Sequence, residues 1–216
     1  MSSIENKETR DNRLETQSAE QFEALGRFVQ AFEHMVNAAR TGIIWMNGSG
    51  PKQQHLVRII ASHAAMTAKP LFDVFRATTN SIASAPDYNI PIEEKILVEN
   101  LLRDVAGRYE KLLKMRNNLL HGTWYIGWAS AAQTSFDEFR VIKHDVSAKG
   151  ISIANNPSTI QEIHLQIDKC KSLTHIISLI PTTLLMCIRK EQEDLWPTRV
   201  FYKNGDLWAA KGKFHG

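Results

Sequence analysis

Between Val98 and Leu119 the sequence accommodates essentially one kind of structure. Val98, Leu101, Leu102, Val105, Tyr109, Leu112 and Leu119 recur at helical spacing, which gives an α-helix one apolar face. Pro91 predicts the start, with Glu93 and Glu94 set against the N-terminal dipole. Gly122 predicts the stop.

Three further helices follow from the same pattern. The first is predicted from Ser18, where Ser18-x-x-Gln21 fits a capping box. Its face is Phe22, Leu25, Val29, Phe32, Val36 and Ala39. The breaker cluster Asn47-Gly48-Ser49-Gly50-Pro51 makes residues 41–52 a loop. The second helix runs from about Lys52 to Ser81, on Leu56, Ile60, Ala64, Leu71 and Phe75, with a kink at Pro70. The fourth follows Asn155-Asn156-Pro157, with Ser158-x-x-Gln161 as a second capping box. Its face is Ile160, Ile163, Ile167, Cys170, Ile177 and Leu184, with a kink at Pro181.

Residues 123–153 carry short β-like runs between Gly, Ser and Asp, which predict a small antiparallel sheet or an extended excursion. Asn204-Gly205 between apolar runs predicts a C-terminal β-hairpin. The expected fold is mainly α: a four-helix bundle with a β excursion between helices three and four. Residues 1–17 are polar and mixed in charge, and read as a mobile tail. Residues 18–190 form the domain, and residues 191–216 a basic appendage.

Composition narrows the function. The chain has 216 residues, 43% hydrophobic and 23% charged, as in one soluble globular domain. That excludes wholesale disorder, collagen-like repeats and a multidomain enzyme. With 26 basic and 23 acidic residues the net charge is +3, which allows a polyanionic partner without demanding one. Two cysteines, Cys170 and Cys187, are too few for a disulfide framework or a zinc finger, and on an apolar helix they read as buried, inert thiols. No apolar stretch follows the polar N-terminus, so no signal peptide is expected. The most apolar run, His175 to Ile188, is shorter than a membrane span. The expected setting is a reducing cytoplasm without membrane attachment. No metal constellation is visible: His164 and His175 would lie about 16 Å apart along a helix axis. His55 and His63 fare no better, and no cofactor is expected. Gly48-Ser49-Gly50-Pro51-Lys52 lacks the ending of a phosphate loop.

One residue breaks the third helix. The stripe Leu102, Val105, Tyr109, Leu112 continues to Arg116, where the pattern asks for an apolar side chain. A charge on a buried face needs a partner or a function. Arg116-Asn117-x-x-x-His121 then closes the helix before Gly122. This segment resembles the HEPN superfamily (higher eukaryotes and prokaryotes nucleotide-binding), whose signature is an arginine, a polar residue and then a histidine near a helix end. The order of four helices with an excursion between the third and fourth is consistent with that family over residues 18–190. Arg58 and His63 repeat the bare spacing in helix two. There the next residue is Ile59 and the position is mid-helix, so that match reads as chance.

The resemblance implies metal-independent RNA cleavage, in which a ribose 2′-OH attacks the adjacent phosphate and leaves a cyclic phosphate. His121 is then the general acid or base, because histidine changes charge near neutral pH. Arg116 is the fixed cation on the phosphate. Asn117 orients His121 or binds a phosphate oxygen. Lys114, Asn118 and Trp124 are weaker candidates for RNA contact. Trp124, Tyr125 and Trp128 either stack on bases or fill the core of the small sheet.

Residues five apart on a helix point about 140° apart, so Arg116 and His121 do not share a face, whereas Asn117 and His121 do. Either the last turn unwinds, or a twofold partner supplies the missing group. The resemblance implies the second: a homodimer with a composite site. It also implies roles such as a toxin or phage-defence effector held by a cognate inhibitor or antitoxin. Two other function classes fit the same residues: a non-catalytic RNA- or nucleotide-binding module, and a helical dimeric interaction protein.

Overall fold

The computed structural model describes residues 7–47, 67–125, 140–147, 150–154 and 159–211. The fold is mainly α. Its elements are α1 (Lys7–Asn47), α2 (Ala68–Ser84), a 3-10 turn (Pro86–Tyr88), α3 (Ile92–His121), β1 (Thr123–Tyr125), β2 (Arg140–Ser147) and β3 (Gly150–Ala154). They are followed by α4 (Ile160–Arg189), a 3-10 turn (Glu193–Leu195), the one-turn helix α5 (Pro197–Val200), β4 (Phe201–Asn204) and β5 (Leu207–Ala210). The β excursion between α3 and α4 is an antiparallel sheet in the order β1-β2-β3. The C-terminal hairpin pairs β4 with β5.

The chain divides into two compact units. One is built from Met1–Phe32 and Lys114–Lys169, the other from Glu33–Leu113 and Cys170–Gly216.

In the first unit α1 is already helical at Lys7. Residues 7–17 therefore belong to a helix, not to a tail. They contain no Gly or Pro and are rich in Glu, Lys and Arg, good helix formers that need no apolar face once a helix propagates. Ser18 is a mid-helix residue, so its capping box is not used. The predicted face is buried at Phe32, Val36 and Ala39, whereas Leu25 and Val29 are half-buried and the buried face in the first part of the helix lies elsewhere. Gln21, Ala24, Phe28, Ala31 and Phe32 are buried, while Phe22 is 57% exposed. Ser158 of the predicted capping box lies outside the described residues; among these, Thr159 and Glu162 form a reciprocal cap at the start of α4. The Thr159 N–H donates to Glu162 Oε2 at 3.3 Å, and the Glu162 N–H donates to Thr159 Oγ1 at 3.2 Å. The Glu162 carboxylate gains from the N-terminal dipole as well as from the bond.

In the second unit α1 continues through residues 41–47, expected to be loop. Ile43 and Gly42 are buried, so this turn has a packing surface of its own. A Cβ on Gly42 would lie 2.7 Å from Phe75 Cε2 and 3.0 Å from Pro181 Cγ. Pro70 falls in the first turn of α2, where a missing N–H costs no helical bond; the predicted start of that helix lies outside the described residues. Pro181 lies inside a continuous α4. By length and composition α4 would suffice to cross a membrane; its buried residues Ile163, Ile167, Cys170, Leu173, Ile177 and Leu184 are core positions.

The predicted stripe of α3 is buried at every named position. Within this unit Tyr109 stacks on Phe72 at 4.1 Å between centroids and donates to the Ala68 carbonyl at 2.9 Å. Burial pushes its hydroxyl pKa well up.

The C-terminal segment is integrated into this unit. Pro197, Val200 and Phe201 are buried. The buried Glu94 carboxylate accepts from the Thr198 N–H at 2.8 Å and from the Thr198 hydroxyl. The hairpin turn is Gly205-Asp206, one residue beyond the predicted Asn204-Gly205, because Asn204 pairs with Leu207. Gly205 has φ +62°, the conformation that a type II′ turn asks of its first central residue.

Candidate functional site

All the predicted catalytic residues lie in the first unit, on the last turns of α3. The helix stays regular through His121. The unwound last turn, one of the two arrangements considered from sequence, is therefore not adopted. Arg116 and His121 point about 140° apart on such a helix.

Arg116 is half-buried. Its Nη1 donates to Asn117 Oδ1 at 3.3 Å. Its guanidinium carbon lies 5.9 Å from the centroid of the Phe32 ring, within reach of a cation–π attraction. This is how a charge is tolerated on the apolar stripe: the planar guanidinium covers an aromatic face while an amide oxygen accepts one of its protons.

Asn117 is half-buried. His121 is exposed in the final turn. Lys114 is exposed on the same helix. Asn118 is buried, at 6% exposure, between the half-buried Asn117 and the fully buried Leu119. It occupies a core position, one the stripe spacing did not include. Trp124 is in β1, where its backbone pairs with Val141; the predicted roles of its side chain, and of Trp128, lie outside the described residues, as do Arg58 and His63.

The arrangement brings Arg116 and Asn117 together and leaves His121 as an exposed side chain about one turn beyond Asn117. Phe32 is the residue that sequence reasoning missed. It was placed on an apolar face, and nothing in the local pattern could pair it with an arginine on another helix. Among the described residues no group of three His, Cys, Asp or Glu side chains could hold a metal ion. Cys170 and Cys187 are buried free thiols. Burial pushes Cys170 up to about 12. Burial, helped by the charges of Glu94 and Glu93, pushes Cys187 up to about 11, so neither is poised as a nucleophile. No known protein family, curated protein or solved structure matches the chain.

Proposed function

We propose that this protein is a metal-independent endoribonuclease of HEPN type, acting in the cytoplasm as a homodimer with a composite site. The observation that carries the reading is Arg116. Its guanidinium is held between the Phe32 ring and Asn117 Oδ1 on the helix that ends in the exposed His121. Arg116 supplies the fixed positive charge for a phosphate whose charge builds up in the transition state. His121 moves the proton, as base toward the 2′-OH or as acid toward the departing 5′-oxygen. Because the two side chains diverge on one helix, a phosphate that meets both is served by Arg116 of one protomer and His121 of its partner. RNA is the substrate, and a cognate inhibitor, as in toxin or phage-defence systems, would act by covering this helix end.

The test is cleavage of a single-stranded RNA in EDTA, set against the same sequence carrying 2′-O-methyl groups. The expected result is cutting of ordinary RNA with cyclic phosphate ends and no cutting of the methylated analogue, since the methyl removes the nucleophile. Cutting of both, or cutting that EDTA stops, would overturn the mechanism.

The contact between Arg116 and Phe32 also favours a second reading, in which the arginine is a packing residue and the domain binds RNA or nucleotide without cutting. Salt-dependent binding of ordinary RNA that stays intact would select that reading.

A further inference from the structure

The outer face of α3 departs from what a solvated helix face carries. An α-helix turns about 100° and rises about 1.5 Å per residue. On that wheel Val98, Leu101, Val105 and Leu112 mark the buried side. Ile92, Ile96, Glu99, Arg103 and Gly107 lie opposite. Ile92 is 67% and Ile96 53% exposed. They stand one turn apart, where a surface helix ordinarily carries polar residues. Gly107 is a second departure. It is exposed inside the helix, where glycine weakens helical structure. Among the described residues a Cβ there would meet nothing within 4 Å. Packing within these residues does not call for the missing side chain, but the close approach of another molecule would.

The charges on this face are divided along its length. Glu93 and Glu99 stand in the first half with the isoleucines, and Arg103 and Lys111 in the second half with the glycine, all exposed. Glu110 of the second half is engaged by Lys69 at 3.3 Å. Glu99 and Arg103 pair along the helix at 3.3 Å, but both side chains are largely exposed, so water screens the pair and leaves both charges open to a further partner.

We infer that this face of α3 pairs with the same face of a second copy, antiparallel about a twofold axis that passes between Glu99 and Asn100. A twofold contact must be self-complementary. Ile92 and Gly107 lie equally far from that axis, so each Ile92 enters the gap at the other chain's Gly107. Ile96 and Arg103 are likewise opposed, and the isoleucine packs on the arginine stem. Each Arg103 comes beside the other chain's Glu99, and each Lys111 beside its Glu93. A nucleic acid would meet Glu93 and Glu99, and an apolar peptide would leave the charges unanswered; a second copy answers both. The contact lies in the half of α3 away from Arg116 and His121. It adds to the pairing that the composite site requires and does not rest on the proposed chemistry. A chain with two different twofold contacts assembles beyond a dimer.

The experiment is sedimentation velocity of the full-length protein over a concentration series, with RNA cleavage measured on the same samples. The wild type is expected to show an association step. Ile96→Lys, which sets a cation against Arg103, is expected to weaken it about tenfold or more with helical content unchanged. Arg103→Glu gathers like charges across the axis and is expected to do the same, while Glu99→Arg with Arg103→Glu rebuilds the pairs and restores the step. Ile92→Cys with Gly107→Cys tests the register. These positions are about 22 Å apart on one helix, so a disulfide formed on oxidation joins two chains; Cys170 and Cys187 are buried and take no part. No association by the wild type, a step that neither Ile96→Lys nor Arg103→Glu weakens, a double exchange that fails to restore it, or no disulfide between chains each overturns the contact. Cleavage by a protein without this step removes the contact and leaves the nuclease. The step, with its charge dependence, in a protein that cuts no RNA does the reverse.

Discussion

The guanidinium carbon of Arg116 on α3 lies 5.9 Å from the ring centroid of Phe32 on α1. The ring is fully buried and the arginine half-buried. Phe32 thus forms the floor on which the proposed phosphate-binding group rests.

Replacing that floor is expected to hurt activity more than stability. Phe32→Leu keeps an apolar side chain of similar bulk and costs about 1 kcal/mol of stability. It removes the aromatic face, so the guanidinium loses a fixed direction, and RNA cleavage is expected to fall about tenfold, in line with the worth of a cation–π contact. Urea midpoints and cleavage rates on the same samples separate the two effects. Cleavage that drops only as far as the folded fraction would mean that Phe32 does not position Arg116.

Gly42 and Gly26 are expected to respond to alanine with opposite signs. Both lie in α1, where alanine is the better helix former by about 1 kcal/mol. At Gly26 a Cβ meets nothing within 4 Å, so Gly26→Ala is expected to raise the melting temperature. At Gly42 the Cβ would sit 2.7 Å from the ring of the fully buried Phe75. Overpacking of about 1–3 kcal/mol exceeds the propensity gain, and Gly42→Ala is expected to lower it. Thermal melts of the two variants decide the point.

These positions show what was legible in the sequence. The stripe of α3 is legible because its apolar residues from Val98 to Leu119 fall on one face, which is the buried one. On α1 the predicted Phe32, Val36 and Ala39 are buried, but in the first part of the helix two adjacent faces are apolar. Phe22, Leu25 and Val29 lie on one, Ala24, Phe28 and Met35 on the other, and only tertiary packing chooses. Residues 41–47 read as loop because a breaker cluster follows them, yet Gly42 is helical to let Phe75 and Pro181 approach. Thr159–Glu162 satisfies the capping pattern as Ser158–Gln161 does, and its reciprocal bonds are formed. In the site, the break at Arg116 was visible locally, but its partner Phe32 is remote in sequence. The burial of Asn118 depends on neighbours that no local period records.

The two thiols carry a pH prediction. Burial raises Cys170 to about 12 and Cys187 to about 11, from an ordinary value near 9. Above pH 9 the unfolded chain releases these protons while the native protein keeps them, so the native state binds more protons and stability falls with rising pH. Their contribution is intact below about pH 9 and is lost progressively up to the folded values. Alkylation at pH 8 is expected to be slow in the native protein and fast in denaturant. Rapid native labelling of either cysteine would contradict the burial that raises both.

The composite site predicts complementation. Arg116→Ala and His121→Ala are each expected to be inactive alone. A mixed dimer holds one site with Arg116 from one protomer and His121 from the other, so mixing the two variants is expected to restore part of the cleavage. A mixture as inactive as its components, with subunit exchange shown by mass, would place both groups in one protomer's site.

The central claim is that Arg116 and His121 cut RNA without a metal. The most direct measurement is the single-turnover cleavage rate in EDTA of the wild type, Arg116→Ala and His121→Ala, each checked for helical content by circular dichroism. The account predicts that the wild type cuts and that each folded variant is slower by about a hundredfold or more. A folded variant cutting at the wild-type rate, or a wild type that leaves RNA intact, would contradict it.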